Sequence, residues 1–167
     1  MKDLSRFKMA PWDVTVKFFT WTTIALVLFI YGGVFILGGE EARRNLGVHA
    51  LFLGLFFSFG ACYALGPRSY LVNEKGVRIE RTVGSIFIPY AQILSVEVVE
   101  QANLSRAVGN GGIFSYYGTY FDGSGTKVKV YATRFERMVQ IQTIKQSYYL
   151  SPDDPESFVE AVKRHLT

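Results

Sequence analysis

The chain has 167 residues, of which 49% are apolar, 16% aromatic and 19% charged, with a formal net charge of +4. Its mean hydropathy is +0.17, and so apolar a chain with so few charges is not a disordered one. A single cysteine and two histidines, His49 and His165, exclude a disulfide framework and leave little material for a zinc or iron–sulfur centre.

The apolar excess is concentrated near the N-terminus. Residues 18–39 and 45–67 each lack Asp, Glu, Lys and Arg, over 22 and 23 positions. A helix of about 20 such residues crosses a bilayer core about 30 Å thick. Neither run has the polar face of a helix lying on a surface, and the first exceeds the apolar core of a signal peptide. The expectation is two membrane spans joined by residues 40–44 as a tight antiparallel hairpin. Lys2, Arg6, Lys8 and Lys17 precede the first span, and Arg68, Lys75, Arg78 and Arg81 follow the second, whereas the tip carries Arg43 and Arg44 beside Glu40 and Glu41. This asymmetry predicts that both termini are cytoplasmic, with Trp12 and Trp21 at the cytoplasmic interface. In the second span Ala50, Gly54, Ser58, Cys62 and Gly66 recur every fourth position. Such a stripe lets helices approach closely, either within the hairpin, the expectation preferred here, or as a seam between copies. No span carries a carboxylate or lysine that would mark an ion path.

Residues 68–167 hold 12 Lys and Arg against 10 Asp and Glu, so the basic balance is not a nucleic-acid stripe. Strands are predicted at 69–72 and 77–82 around the turn Asn73–Gly76, then at 84–88, ended by Pro89, and at 93–100 by alternation. Residues 101–113 read as the longest irregular stretch, with Gly109, Gly111 and Gly112. Strands resume at 114–121, 127–133, 138–144 and 147–150. A closing helix is capped by Asp154, with Pro155 in its first position and the apolar stripe Phe158, Val162 and Leu166. About seven strands and one amphipathic helix predict an all-β barrel or sandwich covered by that helix.

Ile88-Pro-Tyr-Ala-Gln-Ile93, Gly109-Asn-Gly-Gly-Ile-Phe114, Tyr116-Tyr-Gly118, Tyr131-Ala-Thr133 and Leu150-Ser-Pro-Asp-Asp-Pro155 occur in the order seen in PH-like domains. Residues 68–167 therefore resemble the bacterial PH-like (pleckstrin homology-like) family, anchored here behind the hairpin of residues 1–67. The resemblance implies two nearly orthogonal antiparallel sheets with a C-terminal capping helix, a bacterial inner membrane location, and an interaction or assembly module with protein partners or copies of itself. It implies no cofactor, small-molecule substrate or nucleic acid.

Gly109–Gly112 lacks the Lys-Ser/Thr and strand–helix context of a phosphate loop. Phe114, Tyr116, Tyr117, Tyr120 and Phe121 crowd one segment. One parity is expected in the core, and the other against solvent, the membrane or a partner, or beneath the long loop. Lys75, Arg78 and Arg81 are the candidate contacts of an alternative, anionic-lipid sensor, although headgroup sites need clustered basic residues. A pore or transporter subunit is the remaining alternative. Cys62 is placed in lipid, His165 at the dipole of the last helix, and Asp153 and Asp154 in capping, so no nucleophile–base pair survives and a non-enzyme is expected.

Overall fold

The fold begins with a strand from the basic N-terminal flank, before any apolar helix. The computed structural model describes residues 5–166; Lys2 of that flank and Thr167 lie outside the described residues. Strand β1 (Ser5–Lys8) pairs antiparallel with β2 (Pro67–Asn73), placing Arg6 opposite Leu71 and Phe7 opposite Tyr70. The two long helices are thus inserted between neighbouring strands of one sheet.

Helix α1 (Val14–Leu37) starts where the Asp13 carboxylate accepts the Val16 N–H at 2.7 Å, satisfying one of the donors that every helix start leaves open. Helix α3 (Leu46–Leu65) is capped likewise by Asn45, which accepts from Gly47 and Val48. Both are long and apolar enough to cross a membrane. Phe29, Ile36, Leu46, Leu53 and Phe57 are exposed on them, the reverse of a core helix in a water-soluble protein, which buries its apolar stripe.

Between them lies a short helix, α2 (Gly39–Arg44), where the sequence suggested only a tight link. Arg43 donates to the carbonyls of Phe35 and Ile36 at 2.7 and 3.4 Å, answering acceptors left open at the end of α1. His49 is engaged at this turn: its Nε2 lies 2.8 Å from the Arg43 carbonyl and its Nδ1 3.4 Å from the Tyr31 hydroxyl. The helices touch through rings, Tyr31 packing edge-on against Phe52 at 4.7 Å. Large rings at that contact leave the small-residue stripe facing elsewhere. Ala50, Gly54 and Ser58 are exposed, and a Cβ added at Gly54 would meet nothing within 4 Å. These three positions are thus open, whereas Cys62 is half-buried and Gly66 buried.

The first sheet continues through β3 (Gly76–Arg81) and β4 (Ser85–Pro89) in the order β1-β2-β3-β4. The Asn73 side chain accepts from Lys75 and Gly76 N–H to set the β2–β3 turn. The second sheet comprises β5 (Ile93–Gln101), β6 (Ser105–Gly111), β7 (Tyr116–Phe121), β8 (Lys127–Ala132), β9 (Glu136–Thr143) and β10 (Ser147–Leu150). Its order is β5-β9-β10-β8-β7-β6, antiparallel except that β10 runs parallel to β8.

The described residues hold ten strands rather than about seven. β1 comes from the flank assigned to the membrane anchor, and β6 from the stretch read as irregular. Glycine explains the second miss. Gly109 and Gly118 face each other across β6 and β7 with φ of 135° and 129°, and a Cβ on Gly109 would sit 2.2 Å from the Tyr117 carbonyl oxygen. A residue pair that looks like loop composition is what lets these two strands close up.

Two cores result. Tyr70, Val77, Ile79, Val139, Ile141 and Leu150 pack between the sheets with Phe158, Val159 and Val162 of α4 (Pro155–Lys163). On the other face of the second sheet, Tyr116, Tyr120, Val128, Val130 and Met138 pack against Val16 of α1. Strand β9 serves both, so adjacent Met138 and Val139 are both fully buried. Asp154 caps α4 through the Ser157 N–H at 3.0 Å, with Pro155 in the first position. The stripe of α4 is Phe158, Val159 and Val162; Leu166 lies beyond the helix and is exposed. His165 also lies beyond it, stacked on Tyr90 at 5.3 Å, instead of completing the last helical turn.

Candidate functional site

The first candidate region is the joint between the helices and the sheets, and the aromatic segment forms it. Phe114 adopts φ of 62°, a left-handed conformation unusual for a bulky residue and held here by its neighbours. Its N–H donates to the Thr20 hydroxyl of α1 at 2.8 Å, and that hydroxyl donates to the Gly112 carbonyl at 3.3 Å. Its ring lies against Tyr63 of α3 at 5.5 Å and Trp12 at 6.1 Å. Trp12, expected as an interfacial anchor, is therefore also a packing residue of the joint.

Beyond Phe114 the alternation resumes inside the domain. Tyr116 is buried and donates to both Asp13 carboxylate oxygens, at 3.2 and 3.0 Å, so one acidic side chain caps α1 and ties it to β7. Tyr120 is buried and donates to the Asn110 carbonyl at 2.6 Å. Burial pushes the Tyr120 phenol up to about 12 and raises Tyr116, with the nearby Asp13 charge adding to the effect. Tyr117 and Phe121, of the opposite parity, are half-buried. Burial, with Cys62 alongside, pushes Tyr117 up to about 12. Of the five aromatic candidates, then, Tyr116 and Tyr120 are core, Phe114 is half-buried in the joint, and Tyr117 and Phe121 are half-buried on the other parity of β7.

The lower part of the small-residue stripe serves the same joint. Cys62 contacts Tyr117, and a Cβ added to buried Gly66 would lie 2.5 Å from the Ser115 hydroxyl. The segment between β1 and α1 is tied in too: Thr133 donates to the Ala10 carbonyl at 2.7 Å, and Asp13 N–H donates to the Thr133 carbonyl. A groove of about 830 Å³ runs beside α1, lined by Trp12, Asp13, Lys17, Phe19, Arg106 and Glu136 among others. Its two bases are matched by its two acids.

The second region gathers arginines that lie far apart in the chain. The trio Lys75, Arg78 and Arg81 is divided by the fold. Lys75 stands at the β2–β3 turn, roughly 20 Å along the strand from the end of α3 at the rise of an extended chain. Arg78 and Arg81 instead join Arg6 of β1 and Arg68 of β2 around a cavity of about 500 Å³, completed by Glu80, Thr82, Gly84 and Ser85. Arg6 donates to Glu80 at 2.8 Å and Ser69 donates to the same oxygen at 2.7 Å, which occupies the one acidic side chain lining it. Arg68 occupies the bulge of β2, lies 3.4 Å over the Tyr63 ring and donates to the Thr82 hydroxyl. Arg78 lies over Phe87 at 5.9 Å. Among the described residues, Arg81 Nε is buried without a hydrogen-bond partner. Arg6 and Arg68 were read from the sequence only as flanking charges, and it is the pairing of β1 with β2 that brings Arg6 of the N-terminal flank here.

Two sheets packed around one core, closed at the C-terminus by a capped helix, match the architecture implied by the resemblance, apart from one parallel strand pair. The model of a family described as Bacterial PH domain matches residues 68–166, more than half of the chain. The chain belongs to this bacterial PH domain family. No curated protein and no solved structure matches it significantly. In this PH domain, β1 and the α1–α3 helices lie upstream of the matched residues, yet β1 completes the first sheet.

Proposed function

We propose that the chain is an integral membrane protein in which α1 and α3 span the bacterial inner membrane and hold a non-catalytic PH domain at its cytoplasmic face, where it organises protein partners or copies of itself. The observation that carries this reading is the joint. Thr20, Asp13 and Gly66 lock both helices onto β7 and the segment before it, so the domain is held at the foot of the spans and not on a flexible leash. Fixed position at a surface raises the local concentration of whatever the domain meets. The basic flanks Arg6, Lys8, Lys17, Arg68, Arg78 and Arg81 favour the cytoplasmic side for both termini.

Native mass measurement of the full chain in lipid nanodiscs tests assembly. A multiple of the 18.8 kDa chain, or a co-purified protein, supports the reading; a strict monomer with no partner overturns the assembly role. Protease added outside intact cells is expected to leave the PH domain uncut, and its digestion there overturns the orientation.

A further inference from the structure

We propose that the arginine cavity at the foot of α3 binds the phosphate of an anionic glycerophospholipid from the adjoining leaflet. This deepens the membrane reading above and rests on it. Position comes first. The Val83 N–H donates to the Ala64 carbonyl in the last turn of α3 at 3.1 Å, so the β3–β4 turn that supplies Thr82 and Gly84 is fastened to the helix where it leaves the apolar layer. Val83 itself is an exposed apolar side chain on that turn. Arg68 follows the end of α3 by three residues. A headgroup layer is only about 5–8 Å deep on each side of the hydrocarbon, and Arg68 and the β3–β4 turn are the part of the cavity lining next to the end of α3.

Charge comes second. Four arginines and one glutamate line the cavity, and Glu80 is already engaged by Arg6 and Ser69. The positive excess left over suits an anionic lipid better than a zwitterionic one. Guanidinium groups present forked N–H donors that match phosphate oxygens in pairs. Arg81 lines the cavity with its buried Nε unpaired, so its guanidinium is not tied down by a hydrogen bond at that nitrogen. The larger groove beside α1 has no comparable charge excess, because Asp13 and Glu136 balance Lys17 and Arg106.

The test uses the full chain in detergent micelles doped with equal amounts of phosphatidylglycerol and phosphatidylcholine, with retained lipid counted by native mass spectrometry. Wild-type protein is expected to retain phosphatidylglycerol preferentially. Arg78→Gln and Arg81→Gln should each lower that retention about five-fold, the effect of one basic residue near an anionic surface, while Lys75→Gln leaves it unchanged. Equal retention of phosphatidylcholine, no loss in the arginine variants, or an equal loss in Lys75→Gln overturns the proposal. Should Arg81→Gln fail to fold in a thermal melt, exposed Arg78 decides alone. Inorganic phosphate added to lipid-free micelles separates the source: binding that phosphatidylglycerol does not displace overturns a lipid occupant. Flotation with phosphatidylcholine liposomes keeps the two readings apart. Failure to float overturns the membrane reading, whereas flotation without lipid preference overturns only the cavity.

Discussion

Thr20 does two things with one hydroxyl. It accepts from Phe114 N–H and donates to the Gly112 carbonyl, at a site 1% exposed. Replacing it with valine keeps the shape and strands a buried backbone donor, which costs about 1–3 kcal/mol. Thr20→Val is therefore expected to lower the melting temperature of the detergent-solubilised protein, with Thr20→Ser close to wild type. The tyrosines set a pH limit by a related route. Burial raises the Tyr120 phenol from 10.0 to about 12, and Tyr90 and Tyr117 to about 12 as well. A group whose folded value lies above its unfolded value keeps its full contribution below the unfolded value and loses it as pH climbs to the folded one. Stability should be level up to pH 10 and fall between pH 10 and 12, tracked by unfolding followed through tyrosinate absorbance. Tyr120→Phe should make that fall shallower. No alkaline fall in stability would contradict the burial of these phenols.

Helix α4 was readable in outline because capping and apolar spacing are local. Asp154, Pro155 and the Phe158–Val162 interval define it without reference to the rest of the chain. Which apolar residue matters energetically was decided by the sheets. Phe158 is fully buried, edge-on to Phe7 at 5.1 Å and to Tyr70 at 5.8 Å, whereas Leu166 is 37% exposed. Phe158→Ala should cost about 3–5 kcal/mol and Leu166→Ala within about 0.5 kcal/mol, measured by denaturant unfolding. The strands show the opposite balance. Lys127–Ala132 was legible from Val128, Val130 and Ala132 alternating with lysines. Ser105–Gly111 was not, because its pairing depends on Gly109 meeting Gly118 across the ladder, and glycine composition alone reads as loop.

The apolar helices and the PH domain are interleaved in the fold. β1 covers one edge of β2, Val16 seals the core beneath β7 and β8, and Ala10 bonds Thr133. A fragment starting at Arg68 loses all three. It should be less stable than the full chain and prone to association through the uncovered β2 edge. A fusion that restores residues 5–13 ahead of residue 66 should recover part of the lost stability, and equal melting of the two fragments would show that β1 contributes nothing. The same interleaving explains the arginine cavity, whose members come from β1, β2 and β3.

Composition, periodicity and capping were enough for the apolar helices, the turn at Asn73 and the capped last helix, since each depends on residues within a few positions of one another, and short motifs in chain order carried the PH resemblance. The strand contributed from upstream of the hairpin, the division of the aromatic segment into core and joint, the outward turn of Ala50, Gly54 and Ser58, and the gathering of Arg6 with Arg68, Arg78 and Arg81 all came from the folded chain. Each of these joins residues far apart in the polypeptide, and local spacing carries no information about which distant surface will cover a side chain.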